Sequence, residues 1–178
     1  TRLYEQARQL NPDLIYVGGD IVHGKLDTSP EEVRMVANFF LSLCKIAHEE
    51  SIVTTAPLDP KTLRKNVQVC VLSAEHLVLV VEVDNKIEGM LIGVTHQLWY
   101  SRKKQATDLF FYVGENIRGN GWGTKLMRRF ITWAKENPGV KEIMLGVSSG
   151  IGDVDRTKTL YERMGAVRIG ENYVIPQE

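Results

Sequence analysis

The chain has 178 residues, of which 43% are hydrophobic, a size and composition that suit one globular domain over 1–178 with a sizeable core and exclude disorder as the default. Lysine plus arginine and aspartate plus glutamate number 22 each, so no overall field draws the protein to nucleic acid or to an anionic membrane surface. The two cysteines, Cys44 and Cys70, fall in predicted helices and make no disulfide framework, and no segment reaches the ~18 apolar residues that cross a bilayer.

Residues 1–28 carry the weakest pattern: a short helix ending near Asn11-Pro12, then a strand over 14–17. Thr1-Arg2-Leu3-Tyr4-Glu5 has no signal-peptide core, which with free thiols gives the expectation of a cytoplasmic protein. Ser29-Pro30-Glu31-Glu32 forms a capping box with proline at the first helical position. Val33, Val36, Ala37, Phe40, Leu41, Cys44 and Ala47 then recur at helical spacing, predicting a long amphipathic helix. Asp59-Pro60 opens a second helix with Leu63, Val67, Cys70 and Val71 on one face. Residues 77–83 and 87–94 read as a hairpin turned by Asp84-Asn85.

A loop is expected over 98–105. In it Trp99-Tyr100-Ser101-Arg102-Lys103-Lys104 interleaves aromatics with cations, a composition that suits stacking on a nucleobase, an acidic partner or a solvated loop. Strand 109–113 follows, and then a third helix with Leu126, Met127, Phe130, Ile131 and Ala134 inward, stopped by Asn137-Pro138-Gly139. A buried strand over 142–147, a helix capped by Asp153 or Asp155 and stopped at Gly165, and a terminal hairpin of 167–169 with 172–175 complete the chain. No internal repeat or low-complexity tract appears.

Arg118-Gly119-Asn120-Gly121-Trp122-Gly123-Thr124 joins the strand over 109–113 to the third helix through a glycine-rich turn. Such a junction brings backbone N–H groups and the positive end of a helix dipole to one point, which is an anion cradle. A P-loop needs Gly-Lys-Ser/Thr, whereas Gly123 is followed by Thr124-Lys125. A dinucleotide fingerprint starting at Gly119 needs glycine at 124, which is threonine. What remains is Arg/Gln-x-x-Gly-x-Gly/Ala, met by Arg118, Gly121 and Gly123, or a turn that merely connects strand to helix. Further along stands Thr159-Leu160-Tyr161-Glu162-Arg163-Met164-Gly165-Ala166. Here Tyr161 has two roles open to it, proton donor or half-buried packing aromatic.

Together these two stretches resemble the pyrophosphate loop and the Leu-Tyr-x-x-x-Gly-Phe signature of the GNAT superfamily of acyl-coenzyme A-dependent N-acyltransferases, from about residue 77 to the C-terminus. The resemblance implies an α/β fold, with a central mixed, mostly antiparallel sheet and helices on both faces. It also implies that the sheet splays beside the strand preceding the turn, and that backbone donors near Val113 and Gly114 face the thioester. Acetyl-CoA would be held by Val113, Arg118, Gly119, Asn120, Gly121, Trp122, Gly123 and Thr124, with Lys125 as a more distant charge. Tyr161 would protonate the departing thiolate, and Asp108 is the candidate general base. Glu49, Glu50 and Glu115 are other carboxylates that could accept the ammonium proton or attract the substrate, with a solvated surface position the default for each.

The chain departs from the family at Val154, where many relatives carry asparagine, and at Ala166, where phenylalanine is usual. His23, His48, His76 and His96 show no metal spacing, so no metal is expected. The resemblance thus implies transfer of acetyl from acetyl-CoA directly to a primary amine on a small molecule or a protein, without a membrane. A non-catalytic acyl-CoA-binding or partner-binding module and an acyltransferase acting on nucleic acid are the alternatives, the latter disfavoured by neutral charge, and a homodimer stays open.

Overall fold

Leu77, Val78, Leu79, Val80 and Val81 are all buried, because the strand they form is covered on both faces. The computed structural model describes residues 15–18, 30–50, 57–83, 86–147 and 153–170. Strand β2 (His76–Val83) pairs antiparallel with β3 (Lys86–Gln97), and β3 with β4 (Lys104–Val113). Strand β1 (Ile15–Gly18) lies antiparallel to β2 at one edge, and β5 (Val140–Met144) lies parallel to β4 at the other. The result is a five-stranded mixed sheet in the order β1-β2-β3-β4-β5, mostly antiparallel as expected.

The period of two along the strands sorts the core into halves. Val78, Val80, Met90, Ile92 and Tyr112 pack beneath α1 (Pro30–Glu50) and α2 (Pro60–Leu72). Leu77, Leu79, Val81, Leu91 and Ala106 pack beneath α3 (Trp122–Glu136) and α4 (Val154–Arg163). In α1 the stripe Ala37, Phe40, Leu41, Cys44 and Ala47 is buried as its spacing predicts, and Leu43 widens it. In α2 the Asp59 carboxylate accepts from the Lys61 N–H at 2.9 Å and the Thr62 hydroxyl at 2.6 Å, capping the helix that turns Val67, Cys70 and Val71 inward. Helix α3 lies so close to β3 that a Cβ on Gly93 would come within 2.4 Å of the Phe130 ring.

The sequence-based expectations fail in three places. Strand β4 begins at Lys104, well before the predicted residue 109, and the loop shrinks to 98–103. Ladders to β3 and β5 outweigh the weak strand propensity of Gln105-Ala106-Thr107-Asp108, and the buried Gln105 amide donates to Glu142 at 3.1 Å. Strand β5 ends at Met144 and is half-exposed, not a buried strand over 142–147, because only β4 pairs with it among the described residues. Residues 167–169 take no regular structure, and Val167 and Ile169 are exposed. The other arm of the expected hairpin and the expected N-terminal helix lie outside the described residues, as do Ser29 and the side chains of Val33 and Val36.

Pairing of β4 with β5 runs from Lys104↔Val140 to Thr107↔Met144 and stops there. From Asp108 to Val113, β4 continues with β3 on one side and, among the described residues, a gap on the other. The parting of these parallel strands, one followed by the glycine turn and one by the approach to α4, positions everything that follows.

Candidate active site

Beyond Val113 the chain makes one 3-10 turn (Glu115–Ile117) and then reaches Gly119 and Gly121 at φ +94° and +82°, a left-handed region that penalises any side chain. Gly121 stands at the N-terminus of α3 with no side chain capping it. The first bond of the helix runs from the Lys125 N–H to the Gly121 carbonyl at 3.0 Å, so the N–H groups of Trp122, Gly123 and Thr124 have no partner within the helix. They emerge with the positive end of the dipole. A Cβ on Gly121 would meet nothing within 4 Å, so the turn opens onto space that a ligand can fill.

A bulge in β4 sets the rest of the site. Ile92 pairs with Phe110 but Gly93 pairs with Asp108, so Leu109 is the extra residue. Phe110 and Tyr112 face α1, and strict alternation would have sent Asp108 the same way; the bulge transfers it to the α4 face shared by Phe111 and Ala106. There the Asp108 carboxylate accepts from the Gly146 N–H at 2.8 Å, and the Tyr161 hydroxyl donates to the Gly146 carbonyl at 3.0 Å. One peptide segment beyond β5 thus ties strand and helix across the gap.

Burial pushes the Asp108 carboxyl up to about 6, against the hydrogen bond from the Gly146 N–H that favours its charged form. Burial also raises the Tyr161 phenol well above its ordinary range, and the charge of Asp108 adds to the effect. A carboxyl that gains and loses its proton near neutrality therefore neighbours a phenol that keeps its own. Both line one cleft of about 640 Å³, together with Val113, Arg118, Gly119, Gly121, Gly123 and Thr124.

Other predicted residues are placed differently. Asn120 and Trp122 do not line the cleft; the Asn120 N–H donates to the Ile117 carbonyl at 3.4 Å, and Trp122 contributes only its main-chain N–H. The Gly114 N–H donates to the Glu88 carbonyl at 2.7 Å and is no donor for the site. Antiparallel alternation then directs the N–H groups of Tyr112 and Phe110 to β3 and those of Val113 and Phe111 into the gap. The Arg118 Nε donates to the Val113 carbonyl at 2.7 Å and its guanidinium lies 5.4 Å from the Tyr112 ring centroid, so this side chain braces the turn. Lys125 sits 4.1 Å over the Trp122 ring and outside the cleft. Glu49 and Glu115 are exposed, and the Glu50 side chain lies outside the described residues. The Trp99 loop precedes β4 at its end remote from the turn and does not line the cleft.

Sequence reasoning missed Gly146 and Arg156. Gly146 acts through its peptide, which leaves no side-chain signal. Arg156 was legible: it stands one turn before Leu160, and a helical wheel anchored on Leu160 and Tyr161 puts Arg156 and Thr157 on their face.

Residues 41–166 match the acetyltransferase (GNAT) family. No curated protein matches the chain. Among solved structures, an aminoglycoside acetyltransferase from an uncultured soil metagenomic sample, in complex with sisomicin, is 17% identical with TM-score 0.61, covering 93% of this chain and 95% of that one. Ribosomal-protein-alanine N-acetyltransferase from Brucella melitensis is 16% identical with TM-score 0.60, covering 92% and 99%. A predicted acetyltransferase with acetyl-CoA from Clostridium acetobutylicum is 15% identical with TM-score 0.62, covering 91% and 95%. These likenesses concern the fold.

Proposed function

The chain belongs to the acetyltransferase (GNAT) family, and on that premise we propose that it carries the acetyl group of acetyl-CoA directly to a primary amine within a ternary complex. The observation that carries this reading is the parting of β4 from β5, which puts an anion cradle, an ionisable carboxyl and a protonated phenol on one cleft. The N–H groups of Trp122, Gly123 and Thr124 suit the pyrophosphate of coenzyme A. The Val113 N–H, directed into the gap, suits the thioester carbonyl oxygen as it gains negative charge.

In the transfer the amine nitrogen bonds to the acetyl carbon and the carbon–sulfur bond breaks. Asp108 takes the proton that the nitrogen loses, directly or through a water, and Tyr161 gives one to the departing sulfur. To do so its hydroxyl turns from the Gly146 carbonyl. No cysteine or serine lines the cleft among the described residues, and Cys44 and Cys70 are buried in helices with thiols pushed up by desolvation, which supports transfer without an acyl-enzyme.

Ala47, near the C-terminal end of α1, lines the cleft, and the amine is proposed to enter past that end of the helix. The test is coenzyme A release from acetyl-CoA over a panel of aminoglycosides, amino sugars, alkylamines and peptides with free N-termini. Amine-dependent release supports the enzyme. Tight acetyl-CoA binding with no release on any amine favours the acyl-CoA-binding module instead.

A further inference from the structure

We propose that Arg156, and not Arg118, is the guanidinium that pairs with the pyrophosphate of coenzyme A at the glycine turn. This rests on the cofactor reading above and assigns the site's charge to a different element. The backbone cradle alone supplies neutral donors, whereas a pyrophosphate in a half-open cleft gains most from a full positive charge with a planar fork of donors.

Among the described residues the cleft has three cations along its wall, Arg118, Arg156 and Arg163. Arg118 is committed to the fold: its Nε holds the Val113 carbonyl at 2.7 Å, its plane lies on Tyr112, and its Nη1 is 3.7 Å from the Glu115 carboxylate, which offsets its charge. Arg163 sits in the last turn of α4, about two turns beyond Arg156. Arg156 belongs to the first turn of α4, and its Nη2 lies 3.4 Å from the point where a Cβ on Gly119 would stand. It therefore reaches the positive-φ segment whose far side is the open N-terminus of α3.

The base of this arginine is held in place. The Asp153 carboxylate accepts from the Arg156 N–H at 3.0 Å, and the Thr157 N–H and hydroxyl both bond to the Asp153 carbonyl at 3.1 Å. The first turn of α4 is thereby fixed while the guanidinium, on an exposed residue, extends toward Gly119. At 3.4 Å a Cβ on Gly119 would only touch this guanidinium, so what position 119 requires of glycine is its positive φ.

The test is calorimetric binding of coenzyme A, dephospho-coenzyme A and pantetheine to the wild type, Arg156→Ala and Arg156→Lys. Arg156→Ala is expected to weaken coenzyme A and dephospho-coenzyme A alike by about ten- to a hundredfold, to leave pantetheine unchanged, and to keep the wild-type melting temperature. Arg156→Lys, which keeps the charge and loses the fork, should fall between. Unchanged affinity for coenzyme A in Arg156→Ala overturns the proposal. So does a loss confined to coenzyme A, which would place the arginine on the 3′-phosphate. Failure of the wild type to bind coenzyme A would instead overturn the cofactor reading itself.

Discussion

Tyr161 and Asp108 are both bonded to Gly146, and their isosteric variants should both lose activity but differ in stability. Tyr161→Phe removes one hydroxyl and keeps the buried ring, so acetyl-CoA affinity and the melting temperature should hold. If the phenol protonates sulfur, the turnover number should fall by roughly ten- to a thousandfold, with water replacing it as acid. A wild-type turnover number on the true acceptor would leave Tyr161 a packing aromatic.

For Asp108 the raised carboxyl value, about 6, fixes the sign. The folded protein holds this proton to higher pH than the unfolded chain, so its stabilising effect is complete below the ordinary carboxyl range and is lost as pH rises toward 6, by at most about 3 kcal/mol. Asp108→Asn cannot lose that proton and still accepts from the Gly146 N–H. Its denaturant midpoint should therefore gain on the wild type between pH 4 and 7, while activity collapses and the acid limb of kcat/KM near pH 6 disappears with it. A stability difference that shrinks across that interval would contradict the buried, protonatable carboxyl.

The glycine turn was legible at the level of elements because it is local: dihedral demands and helix polarity are written in consecutive residues. Two of its three glycines, Gly121 and Gly123, have separable jobs. Gly121 is held at φ +82°, so Gly121→Ala should cost about 1 kcal/mol or more from the left-handed backbone alone. Gly123 is helical, and a Cβ there would touch Phe111 at 3.4 Å and Val113 at 3.7 Å, ordinary contact distances. Gly123→Ala should thus melt at or above the wild-type temperature yet weaken acetyl-CoA binding where the cradle needs close backbone approach, and equal affinity would remove Gly123 from the cradle. Strand lengths and the bulge at Leu109 were not legible in the same way. They arise from ladders between residues far apart in sequence, as in β4 with β5, and no local pattern in Gln105-Ala106-Thr107-Asp108 announces a register slip. Asp108 was nameable as a candidate from the family resemblance, but the face it takes was not.

At the scale of the molecule, the layering of helices on both faces was foreseeable from periodicities that alternate between two and about 3.6. The parting of the sheet was implied only by resemblance, since it consists of bonds not made. Those missing bonds leave a signature along a single strand. In the half of β4 beyond Thr107, the amide hydrogens of Tyr112 and Phe110 are held by β3 while those of Val113 and Phe111 face the gap. The free protein should accordingly show alternate fast and slow deuterium uptake at neighbouring positions of one strand, in place of the uniform protection of β3 beside it, which is paired on both sides. Saturating acetyl-CoA should slow Val113 and Phe111 and leave Tyr112 and Phe110 where they were. Equal uptake at all four in the free protein would mean that the sheet does not part here, and the two-speed strand would then have no physical basis.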